Sequence, residues 1–262
     1  MATIIVCASA KGGSSKTTST INLAAATAAM GYSTLLVDMD PQANASMALS
    51  MKVKEVDQSI CAVLLPKTRG GQRESIEKVI YETNYKNLHI APAHISLNAG
   101  RLVMNDMIGR ESVLRKELKK PEIQKRYEFI FIDTAPSVDI LLINALASAD
   151  YVIGCSACEF WSLEGIDMMI EQLNQIKEEI NPNVKLLGVL ATKNNTTTHA
   201  KEVLDTLKER YTILGITRTS TKTNEATKKG VPVVYENPHD RVSMEYKRIA
   251  GVLMDLYEKE EL

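Results

Sequence analysis

Short apolar runs alternate with longer amphipathic segments along the whole chain. The runs at 3–8, 33–38, 87–91, 128–133, 150–155, 184–191 and 212–216 are short and mostly apolar, as strands buried on both faces require. Between them, helical spacing predicts helices over 16–30, 57–65, 73–83, 97–119, 139–148, 163–180, 198–210, 224–229 and 241–258. This alternation predicts an α/β fold, a mainly parallel twisted sheet with helices on both faces. Ligands of such folds bind beyond the carboxyl ends of the strands. The stretch 66–75 reads as a surface insertion, because strand–helix alternation resumes after it. A single domain over 1–262 is expected. No helix-turn-helix extension is expected ahead of it, since the first strand starts at residue 3.

Composition narrows the picture modestly. The chain has 262 residues, 45% hydrophobic and 24% charged, enough for one large core. A net charge of −1 gives no global attraction for nucleic acid. Locally the balance differs. Between residues 181 and 250, twelve lysines and arginines face seven aspartates and glutamates, a local excess of five. Charge alone leaves a phosphate-reading patch and a solvated basic face both open. No apolar run reaches the roughly 18 residues of a membrane span. The N-terminus enters a strand at once, so a cytoplasmic location is the default expectation. The four histidines show no ligand spacing. Cys155 and Cys158 have C-x-x-C spacing, but they follow a strand-like run where small buried cysteines are common.

The chemistry concentrates near the N-terminus. Lys11-Gly-Gly-Ser-Ser-Lys-Thr-Thr18 follows the first apolar run and precedes a helical segment. Strand, glycine-bearing loop, Lys-Thr, helix is the layout of a phosphate-binding loop. In such loops backbone N–H groups hold anionic oxygens, a lysine neutralises charge and a hydroxyl reaches Mg²⁺. Lys16 and Thr17 stand at the last two positions. Asp38 and Asp40 end the second strand, at a spacing that lets both face one site. This suits Mg²⁺–water coordination and orientation of an attacking water, or an Asp-Pro turn that caps the strand. Phe129-Ile-Phe-Ile-Asp133 ends another strand with the pattern of a Walker B carboxylate.

At this point the chain resembles the ParA/MinD family of deviant-Walker-A ATPases, most closely the short, Soj-like ParA partition proteins. The likeness runs nearly end to end. It rests on Lys11-Gly-Gly-x-x-Lys-Thr-Thr, Asp38-x-Asp-Pro-Gln, Phe131-Ile-Asp-Thr-x-Pro, Asn144-Ala-Leu-x-x-Ala-Asp, Leu163-Glu-Gly and Asn224-Glu-Ala…Gly230-Val-Pro-Val. The resemblance implies a P-loop NTPase architecture with ATP and Mg²⁺ as cofactors, turning over slowly without a partner. Lys11, Gly12, Gly13, Ser14, Ser15, Lys16, Thr17 and Thr18 would hold the nucleotide. Thr17, Asp38 and Asp133 would hold the metal, and Lys11, Lys16 and Asp40 would serve hydrolysis, Asp40 by positioning water. Lys11 would reach the partner's nucleotide in an ATP-dependent homodimer, with Gly12 permitting close approach. One departure stands out: Ser15 replaces the usual glycine before the second lysine, so binding depends on its backbone angle.

The same resemblance implies nonspecific DNA binding by the dimer, a nucleoid-associated state and a ParB-like adaptor that stimulates hydrolysis. No stable membrane insertion is expected, since the chain ends Glu258-Lys-Glu-Glu-Leu262, an acidic end that anionic lipid would repel. The cargo would be a plasmid, a chromosome region or a protein assembly. Lys222 matches one DNA-contacting position. In the second region, Lys193 to Thr198, threonine stands where arginine is expected, leaving Lys193, Lys201 and Arg218 as substitutes. Two rivals remain at this stage. One is a MinD-like membrane-cycling ATPase, which needs a free amphipathic C-terminal helix; the apolar face Ile249, Val252, Leu253, Leu256 and Tyr257 is instead expected to dock on the domain. The other is an iron–sulfur cluster carrier using Cys155 and Cys158.

Overall fold

A computed structural model of the chain describes residues 1–66, 71–159, 161–195, 197–259 and 262. Part of the 66–75 stretch, Thr196 of the second DNA-contact region and residues 260–261 of the acidic end lie outside the described residues. The elements in chain order are β1 (Thr3–Ala8), α1 (Lys16–Ala29), β2 (Thr34–Asp38), α2 (Asn44–Ala48), α3 (Ile60–Leu64), β3 (Tyr81–Glu82), β4 (Leu88–Ala91), α4 (Leu97–Asn105), α5 (Val113–Leu118), α6 (Pro121–Arg126), β5 (Phe129–Asp133), α7 (Ile140–Ser148), β6 (Tyr151–Ala157), α8 (Ser162–Glu179), β7 (Lys185–Asn194), α9 (Thr198–Arg210), β8 (Ile213–Arg218), α10 (Thr221–Lys229), α11 (Val233–Glu236) and α12 (Arg241–Glu258).

The strands form one sheet in the order β3-β4-β2-β5-β1-β6-β7-β8. Every pairing is parallel except β3 with β4. Successive side chains of β1 go to opposite faces, as the two-residue period of a strand dictates. Ile4 and Val6 join one apolar core with Val37, Ile130 and Ile132. Ile5 and Cys7 join the other with Leu36, Phe131 and Ile153. Both faces are therefore covered, which accounts for the mostly apolar runs.

All seven expected strands form at or near their expected bounds. The helices diverge in instructive places. The segment 73–83 is a 3-10 turn at Ile76–Val79 followed by the short antiparallel edge strand β3. The segment 97–119 breaks, because Gly109 takes a left-handed φ of 66° between α4 and α5. Only Ile60–Leu64 of 57–65 is α-helical, behind a 3-10 turn. The short α2, α6 and α11 were not expected, although Pro121 in the first turn of α6 is a known start signal.

The C-terminal helix α12 packs on α1 and β8. Its buried stripe is Val242, Tyr246, Ile249, Ala250, Leu253 and Met254, at helical spacing. Gly215 lets β8 lie close beneath it, since a Cβ there would stand 2.3 Å from Ile249 Cγ1. Val252, expected on the docked face, points outward at 38% exposure. No helix among the described residues is long and apolar enough to cross a membrane.

Candidate functional site

The loop between β1 and α1 sits at the carboxyl edge of the sheet. Helix α1 begins with no side-chain cap and no acidic residue in its first turn, which leaves a positive helix end free for an anion. Two residues of the loop take left-handed angles: Gly13 at φ 80° and Ser15 at φ 61°. Ser15 thus holds the conformation a glycine would adopt freely, a strain typical of functional loops. Lys16 is buried and its ammonium donates to the Lys11 carbonyl at 3.0 Å, bracing the loop from within. Burial lowers the Lys16 pKa, opposed by Cys155, Asp133 and Asp40. Ser14 Oγ donates to the same Lys11 carbonyl, and Thr192 Oγ1 of β7 donates to the Ser14 carbonyl at 3.1 Å.

The two strand-end aspartates are register partners, Asp38 on β2 opposite Asp133 on β5. Their surroundings differ sharply. Asp38 is tied down: Oδ2 accepts from Ser46 N at 2.8 Å and Ser46 Oγ at 2.7 Å, and Oδ1 accepts from Asp40 N at 3.1 Å. Burial still pushes its pKa up to about 6. Asp133 Oδ1 accepts from Thr20 Oγ1 at 3.3 Å, while Oδ2 is buried without a partner. Desolvation raises the Asp133 pKa, with a further push from Asp38; the Thr17 hydroxyl and Lys16 pull the other way. An orphaned buried carboxylate oxygen beside Thr17 is the sort of acceptor a cation or its water would satisfy. Thr20 escaped the sequence reading, although it lies one helical turn beyond Lys16.

Asp40 is nearly buried and keeps Oδ1 on Gln42 N at 2.9 Å. It lines a cavity of about 220 Å³ with residues 12–18, Asn44, Thr134 and Pro136. A second cleft of about 550 Å³ shares Gly13, Ser15 and Thr18 with it. That cleft continues along Thr217–Ser220, Thr223 and Asn224. Together they make one groove, with the loop at its centre. No set of three or more His, Cys, Asp or Glu side chains builds a metal cage among the described residues. A metal here would need oxygens from a bound phosphate as well as Thr17.

Other expected residues fall around this groove. Lys11 is half-buried at the loop's outer edge, with its ammonium 5.9 Å from the centre of the Trp161 ring. Gly165 at the start of α8 makes room for it, since a Cβ there would lie 2.8 Å from Lys11 Cβ. Lys193 lines the groove itself, beside Gly13. Arg218 borders both this groove and a separate basic one of about 700 Å³. Arg241, Met244, Lys247 and Arg248 of α12 line that second groove, where Glu245 pairs with Arg218 and Arg241. Arg241, Met244, Glu245 and Arg248 share one helix face at i, i+3, i+4 and i+7, a signal present in the sequence but unread as a site. Lys201 is exposed on α9, and Lys222 on α10 pairs with Glu225 at 3.2 Å. Asn144, from a family motif, is structural: it is buried and bonds Leu114 N, Arg110 O and Ile140 O.

Cys155 and Cys158 are both buried, but they belong to cores on opposite faces of the sheet. Burial pushes the Cys158 thiol up to about 11. The two side chains therefore do not face a shared ligand.

Comparison with known proteins agrees with this layout. The AAA domain family profile matches residues 2–186. The chromosome-partitioning ATPase Soj of Treponema pallidum is 31% identical over 256 residues, 95% of this chain and 96% of that protein. The cobyrinic acid a,c-diamide synthase of Mycobacterium smegmatis, solved with ADP and magnesium, has 25% identity and a TM-score of 0.80 over 98% of this chain and 96% of that one. A putative plasmid partition protein of Borrelia burgdorferi, solved with AMPPNP, shares the fold with a TM-score of 0.81 at 24% identity, over 97% and 99% of the two chains. The chain belongs to the ParA/MinD family of ATPases.

Proposed function

We propose that this chain is a partition-type ATPase that binds Mg²⁺ and ATP, dimerises on ATP and then holds DNA without sequence preference. The observation that carries the reading is the meeting of an uncapped helix start, buried Lys16 and the orphaned Asp133 oxygen around one loop. ATP with Mg²⁺ supplies what these groups lack. Phosphate oxygens occupy the free N–H groups of the loop and α1, and Lys16 offsets their charge. The residues present suit Mg²⁺: Thr17 offers a hydroxyl, Asp133 an unused oxygen for a metal-bound water, and Asp38 is held in place behind them by Ser46. Bound Mg²⁺ would neutralise charge on the phosphates during hydrolysis. Asp40, with one oxygen spent on Gln42, orients the attacking water with the other.

Lys11 fits the role of reaching a partner's nucleotide, because its ammonium lies outward on the loop's rim over Trp161. Among the described residues a Cβ at Gly12 would meet Pro136 at an ordinary 3.9 Å, a contact that does not demand glycine there. Close approach of a second copy would. The basic groove between β8 and α12 offers four cations against one carboxylate, a surface suited to phosphate backbone. The α12 stripe is spent on α1 and β8, which argues against a membrane-seeking helix. An adaptor of ParB type would stimulate hydrolysis and link the DNA-bound dimer to its cargo.

The reading is tested by DNA binding with ATP, ADP or no nucleotide across a salt series. Binding should require ATP and weaken steeply with salt, with a slope of about −0.9 per phosphate contact. Arg241→Glu with Arg248→Glu should flatten that slope. Equal DNA binding in all three nucleotide states would overturn the switch.

A further inference from the structure

We propose that Lys193 is a phosphate-binding residue of the nucleotide groove, a second cation at the loop beside Gly13, and not a member of the DNA surface. The inference rests on the nucleotide reading above. It begins at the end of β7. Thr192 Oγ1 donates to the Ser14 carbonyl at 3.1 Å, which pins this strand end to the loop. The next residue, Lys193, takes a left-handed φ of 54°. That conformation is unusual for a lysine and needs a surrounding structure that enforces it. It brings the ammonium over the loop, 3.9 Å from where a Cβ on Gly13 would stand.

The surroundings define what this ammonium would bind. Lys193 lines the cleft with Gly13, Ser15 and Thr18, the residues that frame the start of α1. It is half-buried, and it makes no salt bridge among the described residues. An ammonium is a donor only, and an anionic phosphate oxygen is the acceptor that gives it a charge-assisted bond, stronger than one to a neutral acceptor. Its position also chooses among phosphates. Lys193 borders the cleft that runs toward Thr217–Asn224, whereas Asp40, Thr134 and Pro136 border the other end. The ligand group is therefore a phosphate on the nucleoside side of the chain, one that ADP and ATP share. Lys193 is a binding residue and lines a different cleft from Asp40.

The test is titration of fluorescent ATP and ADP into the full-length wild type, Lys193→Met, Lys193→Arg and Lys193→Gly. Loss of a charge-assisted contact should weaken ATP and ADP alike by roughly tenfold or more in Lys193→Met. In steady-state hydrolysis the same loss should raise the KM for ATP by a comparable factor. Lys193→Arg should restore binding to within about threefold, because it keeps the charge. Lys193→Gly accepts the left-handed backbone at no cost, so its loss of affinity isolates the ammonium from any folding defect. DNA binding of the ATP-saturated Lys193→Met protein should match the wild type.

Unchanged nucleotide affinity in Lys193→Met and Lys193→Gly would overturn the assignment. So would a selective fall in the salt slope of DNA binding, which would return Lys193 to the DNA surface. A wild-type chain that binds neither nucleotide would overturn the nucleotide reading itself.

Discussion

Replacing Asp133 by asparagine should stabilise the nucleotide-free protein while removing its Mg²⁺-dependent hydrolysis. Asp133 is fully buried, its Oδ2 has no hydrogen-bond partner, and the Asp38 carboxylate lies on the neighbouring strand. Asparagine keeps an acceptor for Thr20 Oγ1 and discards the buried charge. Removing the unpaired buried charge is worth about 1–3 kcal/mol. For a domain of this size, that raises Tm by roughly 2–4 °C per kcal/mol, about 2–12 °C in all. The sign with pH follows from linkage. The folded-state pKa of Asp133 is raised above its unfolded value. Its contribution is then fully present in acid and lost as pH rises through the folded pKa. The wild type should therefore lose stability over that rise, and Asp133→Asn should lose less. Asp38, whose pKa burial raises to about 6, adds a pH dependence of the same sign in the wild type, and loss of the neighbouring Asp133 charge should reduce that rise. Thermal melts from pH 4 to 8 without nucleotide or divalent cation read this directly, and a phosphate-release assay reads the activity. A Tm at neutral pH equal to or below the wild type would refute the argument that Asp133 is held in an unpaid electrostatic state.

Three further outcomes are expected. Lys16→Ala should abolish nucleotide binding in calorimetry, since it removes both the buried charge and the brace to the Lys11 carbonyl. Asp40→Ala should keep ATP-dependent dimerisation and slow hydrolysis by at least about tenfold, in line with loss of a group that orients water; near-normal turnover would count against its role. Gly165→Ala places a Cβ 2.8 Å from Lys11 Cβ, so α8 or the loop must shift. ATP-driven dimerisation should weaken more than ATP binding by the monomer, as sedimentation and calorimetry on the same sample would reveal.

Much of this was legible in the sequence because several levels agreed. Seven short, mostly apolar runs are strands because both faces of the sheet are covered, and the loop from Lys11 to Thr18 follows the central strand β1. Strand β3 was hidden because two residues of edge strand carry no period. The break near Gly109 was hidden because one glycine outweighed a long helical pattern. The site residues were legible as types and spacings, but their division of labour was not. Asp38 and Asp133 look alike in the chain, yet Ser46 and Asp40 N–H hold both oxygens of one, while Oδ2 of the other has no partner. Lys193 is distant from the loop in sequence and reads as one more cation in a basic region. Only the Thr192–Ser14 bond and the left-handed turn bring it over Gly13.

The central claim is that ATP acts as a dimerisation switch. Sedimentation equilibrium of the chain with Mg²⁺ and ATP, Mg²⁺ and ADP, or no nucleotide tests it directly, with Asp40→Ala included to preserve ATP during the run. The account predicts a species of twice the monomer mass with ATP alone, lost in Lys11→Ala although that variant still binds nucleotide. A chain that binds ATP yet keeps one mass in all three states would contradict it.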